Sequence, residues 1–360
     1  LNNVPLISQP KYYLYFHYSC NLMKNIFTSH FPNSMKGLVL KKFDEGLAIE
    51  ELEVPKPAKG EVLVKIDSAP INPSDWAFLR GLYASPKKLP IVAGFEGSGI
   101  VMATGNDFFS RRLLGKKVAC FAPPTGNGTW AEYTLTQAAT AIPLKKNLSL
   151  EQGSMLLVNP LSVIAMISIA KKKQSHAIAN TAAASALGQL LDKMCRQNGL
   201  QCINIVRRPE QVELLKKNGT QFILDSSSPN FNTEMRDLFK QLNVKIAFDA
   251  LSGAMVAQLL AALHKGGEVM VYGALSEQEM IVPHGRFIFE GKKISGFWLS
   301  QWINQQSMFT LLQAFNKVQK FLGTQHEIQI RDRMSLTQAI EGINTFPENM
   351  SAGKILVKPW

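Results

Sequence analysis

Apolar and polar positions follow two different rhythms along this chain. Between Met35 and Leu135 they alternate in short runs. Met35–Leu40 and Glu61–Ile66 have the alternation and β-branched content of strands, separated by Pro55, Pro57 and Gly60. Gly94–Gly105 reads GFEGSGIVMATG, apolar and studded with glycine, and Lys116–Phe121 and Thr129–Leu135 predict further strands. Many short strands with frequent turns suit a small β-barrel-like domain. From about Leu148 the pattern turns helical. The apolar run Met155–Ala170, interrupted by Asn159 and Pro160 and closed by three lysines, reads as a core helix near a site. Beyond it the rhythm alternates. Helices are expected at Pro209–Asn218, Asn232–Gln241 and Ala254–His264, and strands at Gln221–Leu224, Lys245–Ala250, Glu268–Tyr272 and Lys293–Ser300. That alternation predicts a doubly wound parallel sheet. The tail from Gln306 predicts two helices and a closing strand, Lys354–Lys358.

The segment Ser175–Arg208 sharpens the picture. A short apolar run, Ala177–Ala179, precedes small residues and Gly188, and a helical stretch then runs to Asn198 and Gly199. A second apolar run, Cys202–Val206, stops at Arg207 and Arg208. This is the layout of a dinucleotide-binding βαβ unit, in which small residues let the backbone approach a pyrophosphate and the helix points its first N–H groups at it. An acid after the second strand would accept from a free ribose 2′-hydroxyl. Two arginines there suit a 2′-phosphate, so the unit reads as an NADPH site. The usual three glycines are reduced to Ala183, Ser185 and Gly188, which narrows the phosphate passage. The same segment is also compatible with a βαβ unit that holds no ligand, and Arg207–Arg208 with a solvated helix start before Pro209.

The chain has 360 residues, long enough for two domains, and 39 Lys plus Arg against 27 Asp plus Glu give a net charge of +12. The excess is spread out, and no basic stripe interleaved with aromatics appears, as a dedicated nucleic-acid binder would show. Phosphorylated ligands or an anionic surface are milder explanations. Cysteines 20, 120, 195 and 202 form no CxxC pair, which argues against a structural zinc and for a reducing compartment. No run of about 18 apolar residues predicts a membrane span. Residues 1–34 hold Lys11 and Lys24, no acid, and the aromatics Tyr12, Tyr13, Tyr15, Phe16 and Tyr18. Such a leader is similar to a mitochondrial targeting segment, although it lacks arginine, and it is equally compatible with a disordered leader, with the cytoplasm as the alternative compartment. It is expected to lie outside the folded domains and to contact a partner or the chain's own surface.

From Met35 to Trp360 the chain resembles the medium-chain dehydrogenase/reductase superfamily. The resemblance is carried by NPSDWAFLRG (Asn72–Gly81), GFEGSGIV (Gly94–Val101) and GTWAEY (Gly128–Tyr133). TAAASALG (Thr181–Gly188), VYGAL (Val271–Leu275) and GKILV (Gly353–Val357) complete it. It implies an α/β fold: a GroES-like β-barrel domain over 35–155 and 300–360, and a Rossmann dinucleotide-binding domain over 156–299. The cofactor-binding residues it implies are Thr181, Ala183, Ser185, Ala186, Leu187, Gly188, Arg207, Arg208, Tyr272, Gly273 and Leu275. Zinc-dependent members place a catalytic cysteine where this chain has Pro73–Asp75. Their histidine in the GHEG-like stretch is here Phe95, and their cysteine-rich lobe is absent, so the resemblance points to a zinc-independent branch. NPSDWAFLRGLY and VNPLSV (Val158–Val163) are similar to the 2-enoyl thioester reductases, with quinone oxidoreductases next.

The expected reaction is NADPH-dependent reduction of an α,β-unsaturated thioester or related conjugated carbonyl, with hydride delivered to the β-carbon. Negative charge then develops on the carbonyl oxygen and needs donors, and the α-carbon needs a proton. The resemblance makes Tyr83 the candidate acid, although it also suits a packing tyrosine, and RGLYASP departs locally from the family pattern. Asn159 is a candidate to orient nicotinamide or substrate, or else caps the helix after Pro160. Trp298 and Trp302 could wall an acyl pocket or pack the core, and Asp249 could serve structure or the edge of the site. Two alternatives stand beside this reading: an NADPH quinone oxidoreductase, and a non-catalytic subunit of a larger assembly that retains the fold. A homodimer, or pairing with a homologous subunit, is expected through the strand at Lys293–Ser300, whose exposed edge would otherwise invite aggregation.

Overall fold

The computed structural model describes residues 32–324, 328–346, 350 and 352–360. The leader expected over residues 1–34, with its aromatic anchors, lies outside them apart from its last three residues, and Cys20 lies outside them as well.

The first part of the chain is strand-rich. It runs β1 (Ser34–Leu40), β2 (Leu47–Glu53), β3 (Glu61–Pro70), helix α1 (Pro73–Leu79), β4 (Ile91–Val92) and β5 (Glu96–Thr104). A short helix α2 (Phe108–Arg111) follows, then β6 (Lys117–Phe121), β7 (Tyr133–Gln137), β8 (Ala141–Pro143) and α3 (Leu150–Ser154). Helix α4 (Val158–Lys172) leads into the alternating part: β9 (Ala177–Asn180), α5 (Ala186–Gln197), β10 (Gln201–Val206), α6 (Pro209–Lys217), β11 (Phe222–Asp225) and α7 (Phe231–Gln241). Then come β12 (Ile246–Asp249), α8 (Ala254–Ala262), β13 (Glu268–Val271), α9 (Gly285–Ile288), β14 (Lys293–Gly296), α10 (Leu299–Asn304) and α11 (Met308–Thr324). The chain closes with β15 (Ile330–Met334), α12 (Leu336–Asn344) and β16 (Lys354–Val357).

The second sheet has the order β11-β10-β9-β12-β13-β14, with every neighbouring pair parallel. Strand order reverses between β9 and β12, and the loops leaving their C-terminal ends enclose a crevice there. One face carries α4, α5 and α11, packed through Leu161, Met166, Leu190, Met194 and Phe315. The other carries α7 and α8 through Met235, Phe239, Leu259 and Leu260. Both faces are covered, so the strands are short apolar runs rather than alternating ones.

The first part forms a seven-stranded sheet, β15-β16-β3-β5-β6-β8 with β7 on β3, and a three-stranded sheet, β2-β1-β4. The chain therefore has the two-part α/β architecture of a GroES-like barrel and a Rossmann sheet. The tail returns to the barrel, where β16 pairs with β3. The apolar pattern does not predict β2 and β15, because LAIEELE and IRDRM are edge segments rich in charge. The strand expected over Thr129–Leu135 is centred later, and that expected over Lys293–Ser300 ends at Gly296, where the chain turns into α10. Helix α4 begins two residues before Pro160, which stands in the first turn where its missing N–H leaves no bond unmade. Asn159 is therefore a first-turn residue and not the cap, a position taken by Leu157.

Candidate active site

The crevice of the parallel sheet is lined mainly by backbone. Thr181–Ser185 turns from β9 into α5, with Ala182 at φ 49°. The Ser185 hydroxyl accepts from the Gly188 N–H at 3.1 Å and caps the helix. A Cβ on Gly188 would meet the Ala183 Cα and carbonyl at 2.6 Å, so only glycine lets α5 seat this closely on its own loop. Ala186 and Leu187 follow as the first helical residues, whose N–H groups have no carbonyl within the helix. Thr181 is turned inward. Its hydroxyl donates to the Asp249 carboxylate at 2.7 Å and accepts from the Ala250 N–H at 2.8 Å. Asp249 also accepts from the Ser252 N–H at 2.7 Å, and burial pushes its carboxyl up against these bonds. This pair clamps the loops after β9 and β12 to each other, so Thr181 and Asp249 shape the crevice through side chains that are already engaged.

The opposite rim is the segment after β13. A Cβ on Gly273 would meet the Ala250 carbonyl oxygen at 2.8 Å, so the two loops touch there. The Leu275 N–H donates to the same carbonyl at 3.0 Å. Tyr272 donates from its hydroxyl to Asn180 at 3.3 Å, and burial pushes its phenol well up. Past β10, Arg207 is exposed with its backbone N–H on Gln211, while Arg208 stands at the cap position just before α6 and lies 3.2 Å from Glu210. The donor set fits a dinucleotide: free helix N–H groups at a close-packed turn, and two guanidinium groups at the end of the neighbouring strand.

On the barrel side the site is made of side chains. Tyr83 lies in the loop after α1. Its ring tilts on Phe95 at 5.0 Å, and its oxygen accepts from the Trp298 indole N–H at 2.7 Å. Trp298 follows β14, so this hydrogen bond spans the cleft between barrel and Rossmann sheet. Arg80 spans it too, pairing with Glu277. Burial pushes the Tyr83 phenol above its ordinary value, while the bonds from Trp298 and Ser300 oppose that rise. The Tyr83 loop is held from behind by Lys87. Its buried ammonium donates to the carbonyls of Pro123, at 2.9 Å, and Gly126, and burial pushes it down to about 8.

Beneath these lies a buried polar cluster that the sequence reading did not single out. Asn72 donates to Glu96 at 3.0 Å and accepts from the Lys354 ammonium. The other Glu96 oxygen accepts from the N–H groups of Leu157, at 3.1 Å, and Val158, at 2.9 Å. A carboxylate from the barrel thus holds the first turn of α4, and with it the buried Asn159. Asp75 accepts from the N–H groups of Asn72 and Phe95 at 2.8 and 2.9 Å, yet burial and the nearby Glu96 push it up to about 7. Phe95 and Glu96 are neighbours in sequence, so one short segment supports Tyr83 on one side and Asn159 on the other. Trp298 is 41 % exposed at the opening, whereas Trp302 is buried in α10. The signal for the cluster was present in NPSD and FEG, but only the return of β16 brings Lys354 to it.

Two family models match the chain: the alcohol dehydrogenase GroES-like domain over residues 58–146 and the zinc-binding dehydrogenase over residues 186–317. A mitochondrial enoyl-[acyl-carrier-protein] reductase of Xenopus tropicalis is 30% identical over 281 residues, covering 76% of this chain and 79% of the relative. One from Caenorhabditis elegans is 31% identical, covering 70% and 72%. Among solved structures, a Mesorhizobium loti protein assigned as an NADPH:quinone reductase superposes with a TM-score of 0.85 at 32% identity. It covers 92% of this chain and all of the other.

Proposed function

The chain belongs to the medium-chain dehydrogenase/reductase superfamily, among the relatives of mitochondrial enoyl-[acyl-carrier-protein] reductases and NADPH:quinone reductases, and from that premise we propose that it is an NADPH-dependent reductase of α,β-unsaturated thioesters. The observation that carries this reading is the Trp298–Tyr83 hydrogen bond. A phenol whose oxygen accepts from an indole keeps its own proton for another acceptor. Its raised pKa keeps that proton in place until a strongly basic atom, such as the α-carbon of an enolate, faces it.

The turn Ala183–Gly188 would hold the pyrophosphate of NADPH, Arg207 and Arg208 its 2′-phosphate, and Tyr272, Gly273 and Leu275 would form the facing rim; the chemistry the cofactor would supply there is a hydride for the β-carbon. Asn159, fixed through Glu96, orients the nicotinamide or the substrate carbonyl. Pro73–Asp75 occupy the place of a zinc-binding cysteine, and among the described residues no three His, Cys, Asp or Glu side chains come together as a metal site. We propose that donors of the protein meet the charge that develops on the substrate carbonyl.

In this reading residues 35–155 and 300–360 supply the substrate side and 156–299 the cofactor side, with α11 packed on α4 across the boundary. The residues ahead of Asn33 serve as a targeting or interaction arm, since Asn33 and Ser34 already pair with Val54 and Glu53 in the barrel, and the compartment is the mitochondrion, as in the names of the relatives. No helix among the described residues is long and apolar enough to cross a membrane. A homodimer would cover the outer edge of β14 and the exposed Ile288 and Phe289 beside it. The M. loti likeness supports one second reading, a quinone as acceptor. A non-catalytic role has no comparable support, since these relatives carry enzyme names. The test is steady-state reduction by the purified chain of crotonyl thioester and of benzoquinone, with NADPH and with NADH. Thioester turnover with NADPH is expected. Turnover of quinone alone would shift the assignment to the second reading, and no turnover of either would overturn both.

A further inference from the structure

The connection from β5 to β6 carries a surface that the reductase reading does not use. Its tip is α2, where Phe108 and Phe109 are 67 % and 77 % exposed, with their rings edge to face at 5.7 Å. Arg111 and Arg112 follow, both exposed, and the Arg112 guanidinium lies over the Phe108 ring at 5.5 Å. Leu114, Lys116 and Lys117 continue the exposed face. The Lys117 carbonyl accepts from the Leu144 N–H at 2.9 Å, which brings the exposed Lys145 and Lys146 alongside. Asp107 is the one acid between Gly105 and Lys117. It is occupied by the fold, accepting from the Gly60 and Ser110 N–H groups at 2.8 and 2.9 Å and from the Ser110 hydroxyl. The fold therefore makes a compact aromatic and cationic tip from a segment too short to stand out as a basic stripe.

The tip is remote from the cleft. Glu96 starts β5 beside the site and Thr104 ends it beside α2, about 27 Å of strand away. Two rings on a four-residue helix are too small for a stable protein interface, which needs about 800 Å² per partner. Aromatic rings at the headgroup level, with cations around them facing phosphates, are the chemistry of an interfacial anchor. We propose that this tip docks the protein peripherally on an anionic lipid bilayer, with Phe108 and Phe109 entering the headgroup region and Arg111, Arg112, Lys116 and Lys117 facing the lipid phosphates.

The test is co-sedimentation of the full chain with vesicles of phosphatidylcholine, alone or mixed with phosphatidylglycerol. Binding to the mixed vesicles is expected, with little to phosphatidylcholine alone, and release at about 0.5 M salt. Phe108→Ser with Phe109→Ser should lower the partition coefficient about tenfold, and Arg111→Glu with Arg112→Glu should do at least as much. Circular dichroism and the thermal midpoint of each variant check that it folds, and Lys116→Glu with Lys117→Glu replaces any variant that does not. Absence of binding to the mixed vesicles would overturn the proposal. So would binding that none of these variants weakens, which would place the contact elsewhere in the chain. Capture of a fluorescent single-stranded oligonucleotide without vesicle binding would overturn it in favour of a nucleic-acid surface.

Discussion

The two walls of the cleft are built on different principles. The cofactor wall is mostly backbone: a capped helix start, a glycine that lets α5 close on its loop, and loops after β9, β12 and β13 held together by Thr181, Asp249 and Gly273. The substrate wall is mostly side chain. Tyr83 and Trp298 are 215 residues apart, and Asn72 and Lys354 are 282 apart. A wall of backbone tolerates changes of side chain as long as they stay small, which is why Ala183 and Ser185 can stand where glycines are usual. A wall of remote side chains fails when one member is lost.

That contrast can be broken or sharpened by substitution. The largest effect is expected from Glu96→Ala. It would leave the buried Lys354 ammonium, which donates to Asn72, without the nearby Glu96 charge, and two N–H groups of the α4 start without an acceptor. A loss of about 3–5 kcal/mol is expected in denaturant unfolding. A loss below about 1 kcal/mol would show that the cluster is not a joint between the two walls. Gly188→Val comes next. Its side chain would collide with the Ala183 backbone rather than with a movable group, so about 3 kcal/mol of stability should be lost together with NADPH binding. Full NADPH affinity in this variant would refute the close-approach argument for the backbone wall.

Smaller effects separate the periphery of each wall. Arg207→Ala with Arg208→Ala should weaken NADPH by about 1.5–3 kcal/mol per lost contact and leave NADH nearly unchanged, as read by fluorescence titration. Equal weakening of both cofactors would remove the 2′-phosphate assignment. Asp75 gives a pH signature. Its folded-state value of about 7 stands above its ordinary 3.8, so the folded chain holds a proton that the unfolded chain releases. This contribution to stability is complete below about pH 4 and is lost as pH rises through about 7. Asp75→Asn should remove that slope, so its thermal midpoint should gain on the native protein between those values. Parallel profiles would contradict the shift.

The same contrast explains how much could be read from sequence. The parallel sheet was legible because each strand and helix is a local apolar pattern, and TAAASALG lies on consecutive residues. Strands β2 and β15 were not, since edge strands with Glu, Arg and Asp on their open faces lack the apolar signal. Tyr83 was legible only through resemblance, and Trp298 only as one of two candidate wall residues. No spacing rule brings Lys354 to Asn72, because that contact depends on the chain's return along β3. Thr181 follows β9, and its hydroxyl points into the fold, a choice made by Asp249 on another strand.

The central claim is that Tyr83, its oxygen held by Trp298, protonates the substrate. The most direct measurement is the turnover number of Tyr83→Phe with crotonyl thioester and NADPH, set beside the native protein and Trp298→Phe. The account predicts a fall in kcat of about 10²–10⁴-fold for Tyr83→Phe with KM nearly unchanged, and a smaller fall for Trp298→Phe. A Tyr83→Phe enzyme that keeps the native kcat would contradict it.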